Sequence, residues 1–403
     1  MIGTNSRGGR RHFVLALAFM LLFFLTVSAS SCGTPSFSKS VRDKLTATVE
    51  KSLRAEGIPG AIVGVWQNGK GQYVRAFGKA ALVPGLAMQS DYLWKAASIT
   101  KTFTANVVLQ LVGQGKLSLE DKLSKYGWSV GIANRDQITV RMLLNHTSGL
   151  PDLENDIPKF QKIRWGDPTE VWTHAEILKW TRTLEPLSAP GTEYHYTNTG
   201  YYLLGLIIES TTGKTATQEI QTLCADKLGL TNTRLADMPA YLLSRPHSDG
   251  YTARSGLPPG VEVPGKTNVV NATKWNTSAG WTSASIVSGL TDLRTWIEAV
   301  ASGKLLTPAM KTEQLKDPIQ MTDNVNGPHY GLGVAISKLP SGEMFWHNGA
   351  TLGYSSFAGN IPRSGITIVV FVNMMPTASG DSTVATALAA PLLTAIQESA
   401  NGK

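Results

Sequence analysis

The stretch Ala97-Ser98-Ile99-Thr100-Lys101-Thr102-Phe103 places a Ser-x-x-Lys step at the start of an expected amphipathic helix. One helical turn takes about 3.6 residues, so positions i and i+3 share a face. The Ser98 hydroxyl and the Lys101 amine therefore come within reach of each other. A serine hydroxyl is a weak nucleophile until a neighbour takes its proton. A lysine partly withdrawn from water has a lowered pKa and can do this. Ser-x-x-Lys recurs by chance in many chains, so its meaning depends on the company it keeps.

Two further stretches supply that company. Tyr194-His195-Tyr196-Thr197-Asn198-Thr199-Gly200-Tyr201 holds a Tyr-x-Asn step. A phenol near a lysine ammonium has its anion stabilised, which would fit Tyr196 to act as a base or proton shuttle. The Asn198 amide can orient both the lysine and a substrate carbonyl. Trp346-His347-Asn348-Gly349-Ala350-Thr351 is read as a strand end. There Gly349 would let a ligand lie against the backbone, and His347 would supply a polar or cationic group. The N–H groups of Ala350 and Ser98 could form an oxyanion hole. Taken singly, each of these stretches is an ordinary turn or packing segment.

Ser98-x-x-Lys101, Tyr196-x-Asn198 and His347-x-Gly349, in this order, resemble the serine β-lactamase and penicillin-binding-protein superfamily. The similarity is to the branch of class C β-lactamases, Streptomyces-type D-alanyl-D-alanine carboxypeptidases and related esterases. It extends to Ile138–Pro151, to Leu204-Gly205 with Ile207-Ile208-Glu209 and Thr212-Gly213, and to Ser278-Ala279-Gly280 followed by Leu290–Leu293. It covers about residues 40 to 395. The resemblance implies attack by Ser98 on a carbonyl, with its proton passing toward Lys101 and Tyr196, and an acyl-enzyme released by water or an amine. It implies no metal and no cofactor. Two departures touch specificity. The third motif reads His347-Asn348-Gly349-Ala350 where the carboxypeptidases carry His-Thr-Gly-Thr. Where they place a carboxylate-gripping Arg, Val334–Lys338 offers only Lys338, and Arg and Lys are not equivalent at such a site. Asn348 could still donate to a carboxylate or amide, and Trp94, Trp275 and Trp281 could line an apolar pocket or fill the core.

Around these motifs, 42% hydrophobic and 16% charged residues in 403 mark a globular chain long enough for two subdomains. Val41, Leu45, Val49 and Leu53 form a helix stripe ended by Gly57 and Pro59. Ala61–Trp66 and Gln72–Phe77 flank Asn68-Gly69 as a hairpin. Strands are expected at Glu343–His347, Gly353–Gly359 and Ile366–Asn373. A last helix carries Val384, Leu388, Leu392 and Leu393, and Arg254–Gly265 reads as a proline-rich loop. The expected fold is α/β (α+β). An antiparallel sheet from both chain ends, about 39–95 and 310–400, is flanked by helices. A mostly helical part, about 96–309, completes the 39–400 domain, with a cleft between the two.

Residues 1–31 read as an export signal: Arg7, Arg10 and Arg11, an apolar run from Phe13 to Val27, then small residues before Cys32. The placement of Cys32 resembles a bacterial lipoprotein site, where that cysteine is lipidated. A plain cleaved signal or an uncleaved anchor are the alternatives. Residues 32–38 would be a linker, and the protein would sit at the cell envelope, on the outer face of the membrane. Cys224 would be a buried inert thiol, which excludes a disulfide framework and cysteine-rich metal sites. Removing the leader arginines takes the formal charge from +8 to +5 with no dense basic run, so nucleic acid is not an expected partner. Gly64–Gly71 lacks the Ser/Thr of a phosphate loop. No Gly-x-Ser-x-Gly elbow appears, and His146 reads as a structural residue of a turn. The expected activity is acyl transfer on D-alanyl peptides, with β-lactams or small esters as alternative substrates. A silent protein of the same fold that only binds or senses its ligand is the competing class.

Overall fold

The computed structural model describes residues 35–236, 239–253, 268–324, 326–375 and 384–400. The leader, Cys32 and the Arg254–Gly265 loop lie outside the described residues. Among the described residues, no helix is long and apolar enough to cross a membrane.

The first helix, Lys39–Glu56, begins where the Ser38 hydroxyl accepts the Val41 N–H and ends on Gly57, whose φ of 62° is left-handed. Leu45 and Val49 are fully buried, and Val41 and Leu53 pack at the edge of the same cluster. The expected linker is shorter than its reading. Pro35 to Phe37 already docks on the hairpin, through Gln72 N–H to Pro35 O (2.8 Å) and Phe37 N–H to Gln72 O (3.2 Å), and Phe37 is buried.

The hairpin strands are Gly60–Gln67 and Gly71–Gly78. Gln67 pairs with Gly71, so the turn is a three-residue loop, Asn68-Gly69-Lys70, with Gly69 at φ 71°. These strands belong to an eight-stranded antiparallel sheet. Its order is Gly71–Gly78, Gly60–Gln67, Ile366–Val372, Tyr354–Ile361, Gly342–Thr351, Ala335–Leu339, His329–Tyr330 and Ile319–Gln320. Gly60–Gln67 lies beside Ile366–Val372 with Val63 opposite Val370, so strands from the two ends of the chain pair as second and third in the sheet. Both strands are buried throughout. One face is covered by the first helix and the last, Val384–Ala400. The other is covered by the helix Leu290–Ser302. A strand covered on both faces reads as a continuous apolar run, as Ile366–Val372 does.

The helix Thr100–Gly113 departs from the amphipathic expectation. Every side chain from Thr100 to Leu111 is buried. Its polar residues are satisfied locally or by neighbours: Thr100 donates to Ala97 O, Thr102 to Ile99 O, Thr104 to Thr282 O, and Gln110 to Asn106 Oδ1. A helix buried all round is a core element, here the hub between sheet and middle region. Trp296 stacks on Phe103 and donates to the Thr102 hydroxyl (2.7 Å). The middle region is not wholly helical. It contains a three-stranded sheet of Trp94–Lys95, Ile286–Ser288 and Arg234–Leu235. Tyr251–Ala253 and Val269–Asn271 join Met374–Met375 in another. Cys224 is fully buried, and burial pushes its thiol pKa up, which suits an inert side chain.

Candidate active site

A tight 3-10 turn, Ala97–Ile99, sets Ser98 at the entrance of the central helix. Ala97 sits at φ 51°, a conformation that costs a non-glycine residue energy and persists only where surroundings impose it. They do so through Ala96, whose N–H donates to Ile286 O (2.8 Å) and whose O accepts from the Ser356 hydroxyl (2.7 Å). Gly349 is part of the same clamp. A Cβ there would meet Ala96 O at 2.5 Å, Ser356 Oγ at 2.6 Å and the Ala97 Cβ at 2.8 Å. Gly349 therefore lets the strand press against the turn that carries Ser98; this close approach, rather than the expected space for a ligand, explains the glycine.

Lys101 is fully buried, one turn on from Ser98. Its Nζ lies 3.1 Å from Ser98 Oγ, 2.6 Å from Asn198 Oδ1 and 3.1 Å from Ser283 O. Burial lowers its pKa, and the nearby Asp152 and Glu154 offset only part of that. Asn198 opens the helix Asn198–Thr212, behind the cap Thr197. Its Nδ2 donates to Asp152 Oδ2 (2.9 Å).

Tyr196 completes the group, with Lys101 Nζ 4.7 Å from its ring centroid. Its pKa is raised well above the ordinary phenol, first by burial and then by Tyr194, Tyr201 and Asp152, while the Ser98 hydroxyl pulls it down. Burial thus works against a phenolate at Tyr196, and the amine sits over its ring. At rest Tyr196 is neutral. The ring packs 4.4 Å from His146, which sits at φ 63° in its turn and accepts the Thr197 N–H at Nδ1 (3.1 Å). Burial drives the His146 pKa well below its usual value, so it stays uncharged and acts as a packing platform for Tyr196.

His347 is buried on the opposite wall, 6.3 Å ring to ring from Tyr196. Burial, and after it Lys101 when protonated, lowers its pKa to about 3, which favours the polar rather than the cationic form of the expected role. Its tautomer follows from its partners. Asn348 O, 2.6 Å from Nδ1, can only accept, so Nδ1 carries the proton. Nε2 then accepts from the Tyr330 hydroxyl (2.9 Å). Asn348 is corrected as well. Strand side chains alternate between faces, and its amide reaches Thr386 on the last helix (3.1 Å), the sheet face away from Ser98. Ala350 lies beyond Trp346, the last residue of this strand paired with Ala335–Leu339, so among the described residues no strand pairs with that edge from His347 to Thr351.

Lys338 is exposed opposite Glu343, at the end of its strand away from this edge. Trp94 is core, stacked on Phe371, and Trp275 packs edge-on to Trp165. Trp281 packs on His174 and Tyr202. Sequence reasoning did not single out Tyr330, Asp152 or the Ser283 carbonyl. Asp152 directly follows the Leu150-Pro151 of a recognised segment, whereas Tyr330 is on the two-residue strand His329–Tyr330, flanked by glycines and too short for a periodic signal. Among the described residues, no group of His, Cys, Asp and Glu side chains could hold a metal ion.

Fold and site together define a serine hydrolase of the β-lactamase/transpeptidase type. The chain belongs to the Beta-lactamase family, which matches residues 45–392. Among curated relatives, Protein flp of Staphylococcus aureus is 25% identical over 340 residues, which is 83% of this chain and 63% of that protein. Esterase EstB of Burkholderia gladioli is 28% identical over 250 residues, 59% of this chain and 63% of that protein. The matches thus span less than two thirds of these relatives' length. Two solved structures are similar over nearly their whole length. A D-stereospecific amidohydrolase from Streptomyces sp. has a TM-score of 0.72 and 26% identity, covering 88% of this chain and 98% of that one. The D-amino acid amidase of Ochrobactrum anthropi SV3 in complex with D-phenylalanine has a TM-score of 0.76 and 25% identity, covering 89% and 99%.

Proposed function

We propose that the protein hydrolyses small amides and esters, D-alanyl and related D-amino acid derivatives first among them, through an acyl-enzyme on Ser98. The observation that carries this is the Lys101 amine, fully buried and 3.1 Å from Ser98 Oγ. Neutral Lys101 takes the Ser98 proton as Oγ bonds to the substrate carbonyl carbon. The oxyanion that forms is held by the N–H groups of Ser98 and Ala350, an assignment supported by the unpaired strand edge around Ala350. Tyr196 gives a proton to the departing nitrogen or oxygen and regains one from Lys101. Water then attacks the ester carbonyl while neutral Lys101 takes its proton, the Oγ–C bond breaks, and Lys101 returns that proton to Ser98 Oγ as the acid leaves.

Amides and esters are preferred over peptides with a free terminal carboxylate. The two strands expected to supply a gripping cation offer a neutral His347 and the remote Lys338. Similarity to amidases that act on D-substrates, and to an esterase, supports the same choice. We also propose export and lipidation at Cys32, to be checked by mass spectrometry of the membrane fraction and by the Cys32→Ala variant.

The test is covalent labelling with a fluorescent penicillin, alongside turnover of D-amino acid amides, D-alanyl-D-alanine peptides, activated esters and β-lactams. Labelling lost in Ser98→Ala, with turnover of amides and esters, is the expected result. No labelling and no turnover of any of them would instead mark a silent binder.

A further inference from the structure

One buried side chain that this chemistry leaves unused is Asp152. It lies on the loop between Pro151 and the helix Pro158–Gly166, and it is 1% exposed. It touches neither Ser98 nor Lys101 by any hydrogen bond. Its carboxylate accepts three: Asn198 Nδ2 (2.9 Å) and Asn155 Nδ2 (2.6 Å) on Oδ2, and the Glu154 N–H (2.9 Å) on Oδ1. The loop is pinned to the start of the Asn198–Thr212 helix by several bonds. Pro151 O accepts the Thr197 and Thr199 hydroxyls, and Leu153 N–H donates to Thr199 Oγ1. Asp152 N–H donates to Asp156, which in turn is held by His195 (2.6 Å).

The consequence lies in how a neutral amine can be satisfied. It has two N–H groups and one lone pair. Around Lys101 Nζ stand two carbonyl oxygens, Asn198 Oδ1 and Ser283 O, and one hydroxyl, Ser98. Carbonyl oxygens only accept, so they take both N–H groups and the lone pair is left for the Ser98 proton. An inverted Asn198 would present its NH2 to Lys101 and donate into that lone pair, occupying the base. Nothing on Asn198 itself forbids inversion. What forbids it is the carboxylate behind it, which can receive the NH2 and cannot offer a proton while ionised.

We propose that Asp152 is a positioning residue that fixes the Asn198 amide with its oxygen toward Lys101, leaving the Lys101 lone pair for Ser98. It rests on the hydrolase reading above. It also accounts for an acid that is buried beside other acids. Glu154 and Asp156 face it from its own loop, Lys101 from the central helix, and Arg164 reaches the cluster by pairing with Glu154 (2.8 Å). Burial raises the Asp152 pKa first and Glu154 adds to that, while Lys101 pulls it down.

Two variants test this in the full chain. Asp152→Asn keeps the shape but offers one oxygen to three donors, so it removes the bar to inversion. Asp152→Asn combined with Asn198→Asp moves the carboxylate to the position that meets both Lys101 and the new amide, and needs no fixed orientation. Activated-ester turnover is measured across pH, and the Lys101 titration is followed by NMR with 13Cε-labelled lysine, assigned through Lys101→Arg. Asp152→Asn is expected to lower kcat/KM by about 10²-fold or more, the scale of losing a general base, and to shift the Lys101 titration to lower pH. The double variant is expected to recover at least about tenfold of that loss, with its acid limb at higher pH because the carboxylate now touches the amine. Unchanged turnover and an unchanged Lys101 titration in Asp152→Asn overturn the proposal. So does a double variant as impaired as the single one, or failure of both to fold, which would make Asp152 a stability residue. Should the wild-type protein turn over nothing and resist labelling at Ser98, the hydrolase reading fails, and the Lys101 titrations still decide the placement of Asp152.

Discussion

Replacing Gly349 with alanine tests the clamp that holds Ser98. The added methyl would stand 2.5 Å from Ala96 O, 2.6 Å from Ser356 Oγ and 2.8 Å from Ala97 Cβ. Ordinary contacts begin near 3.4 Å, so relief requires a shift of about 0.6–0.9 Å on one side, and overpacking of this kind costs about 1–3 kcal/mol. None of the neighbours is a flexible chain end. Ala96 is tied to Ile286 and Ser356, and Ala97 already holds a left-handed φ. The Ala97–Ile99 turn is the part that must move, and a displacement near 1 Å at reacting groups costs about 10²-fold in rate. The expected outcome is a modest loss of stability, roughly 1 °C in Tm per kcal/mol for a domain of this size, with a loss of about 10²-fold in kcat/KM for an activated ester. Gly359→Ala serves as the control. Its Cβ would meet the Phe357 ring of its own strand at 3.0 Å and the Met344 sulfur of the adjoining strand at 3.3 Å, both softer neighbours. If Gly349→Ala loses no more activity than Gly359→Ala, Gly349 does not hold Ser98 in place.

Three other changes have defined outcomes. Tyr330→Phe removes the donor to His347 Nε2 and leaves a buried acceptor unpaired, so chemical denaturation should show a loss of about 1–3 kcal/mol; an unchanged midpoint would show that this bond carries no weight. Lys95 is fully buried with a pKa lowered to about 7, by burial and then by Arg164. The unfolded lysine binds more protons between pH 7 and about 10.4, so this group's contribution to stability rises with pH across that window and is lost as pH falls through 7. Lys95→Met should flatten the rise measured between pH 7 and 9, and an identical slope would refute the assignment. Tyr196→Phe should slow amide turnover by about 10² or more and affect p-nitrophenyl esters far less, since that leaving group departs without a proton. Equal losses for both would remove Tyr196 from leaving-group protonation.

Much of the fold was legible because its signals are local. The Gly57 stop and the four-residue spacing of Leu45 and Val49 specify the first helix within a few turns of chain. The one-turn interval that brings Ser98 to Lys101 is equally local. What was not legible depends on partners distant in sequence. The reason for Gly349 is Ala96, and the Ser356 hydroxyl that joins the clamp is 260 residues from it. The central helix was read as amphipathic because its threonines look polar; hydrogen bonds to Ala97 O, Ile99 O and Thr282 O make them core residues. The turning away of Asn348 follows from strand alternation once His347 is known to face the site. That inference was open from the sequence, but reading the motif as a strand end obscured it.

The acid and base roles proposed for this site draw on burial acting in opposite directions on two kinds of group. Loss of water penalises whichever form is charged. For Lys101 that form is protonated, so burial frees the lone pair. For Tyr196 it is deprotonated, so burial keeps the proton on. One buried pocket, walled by His146, Tyr201, Tyr330 and His347, thus suits the amine to the proposed role of base and the phenol to that of acid. Two groups whose pKa values are driven apart in this way are suited to the two ends of a proton transfer. The reverse assignment, a tyrosinate base beside a permanent ammonium, would need the Lys101 charge to face the Tyr196 oxygen. The amine instead sits over the ring, 4.7 Å from its centroid, with carbonyl oxygens of Asn198 and Ser283 placed to take its hydrogens. In the proposed reaction, the direction in which the proton moves would therefore be set by which atoms the pocket buries and by how the asparagine beside the lysine is turned.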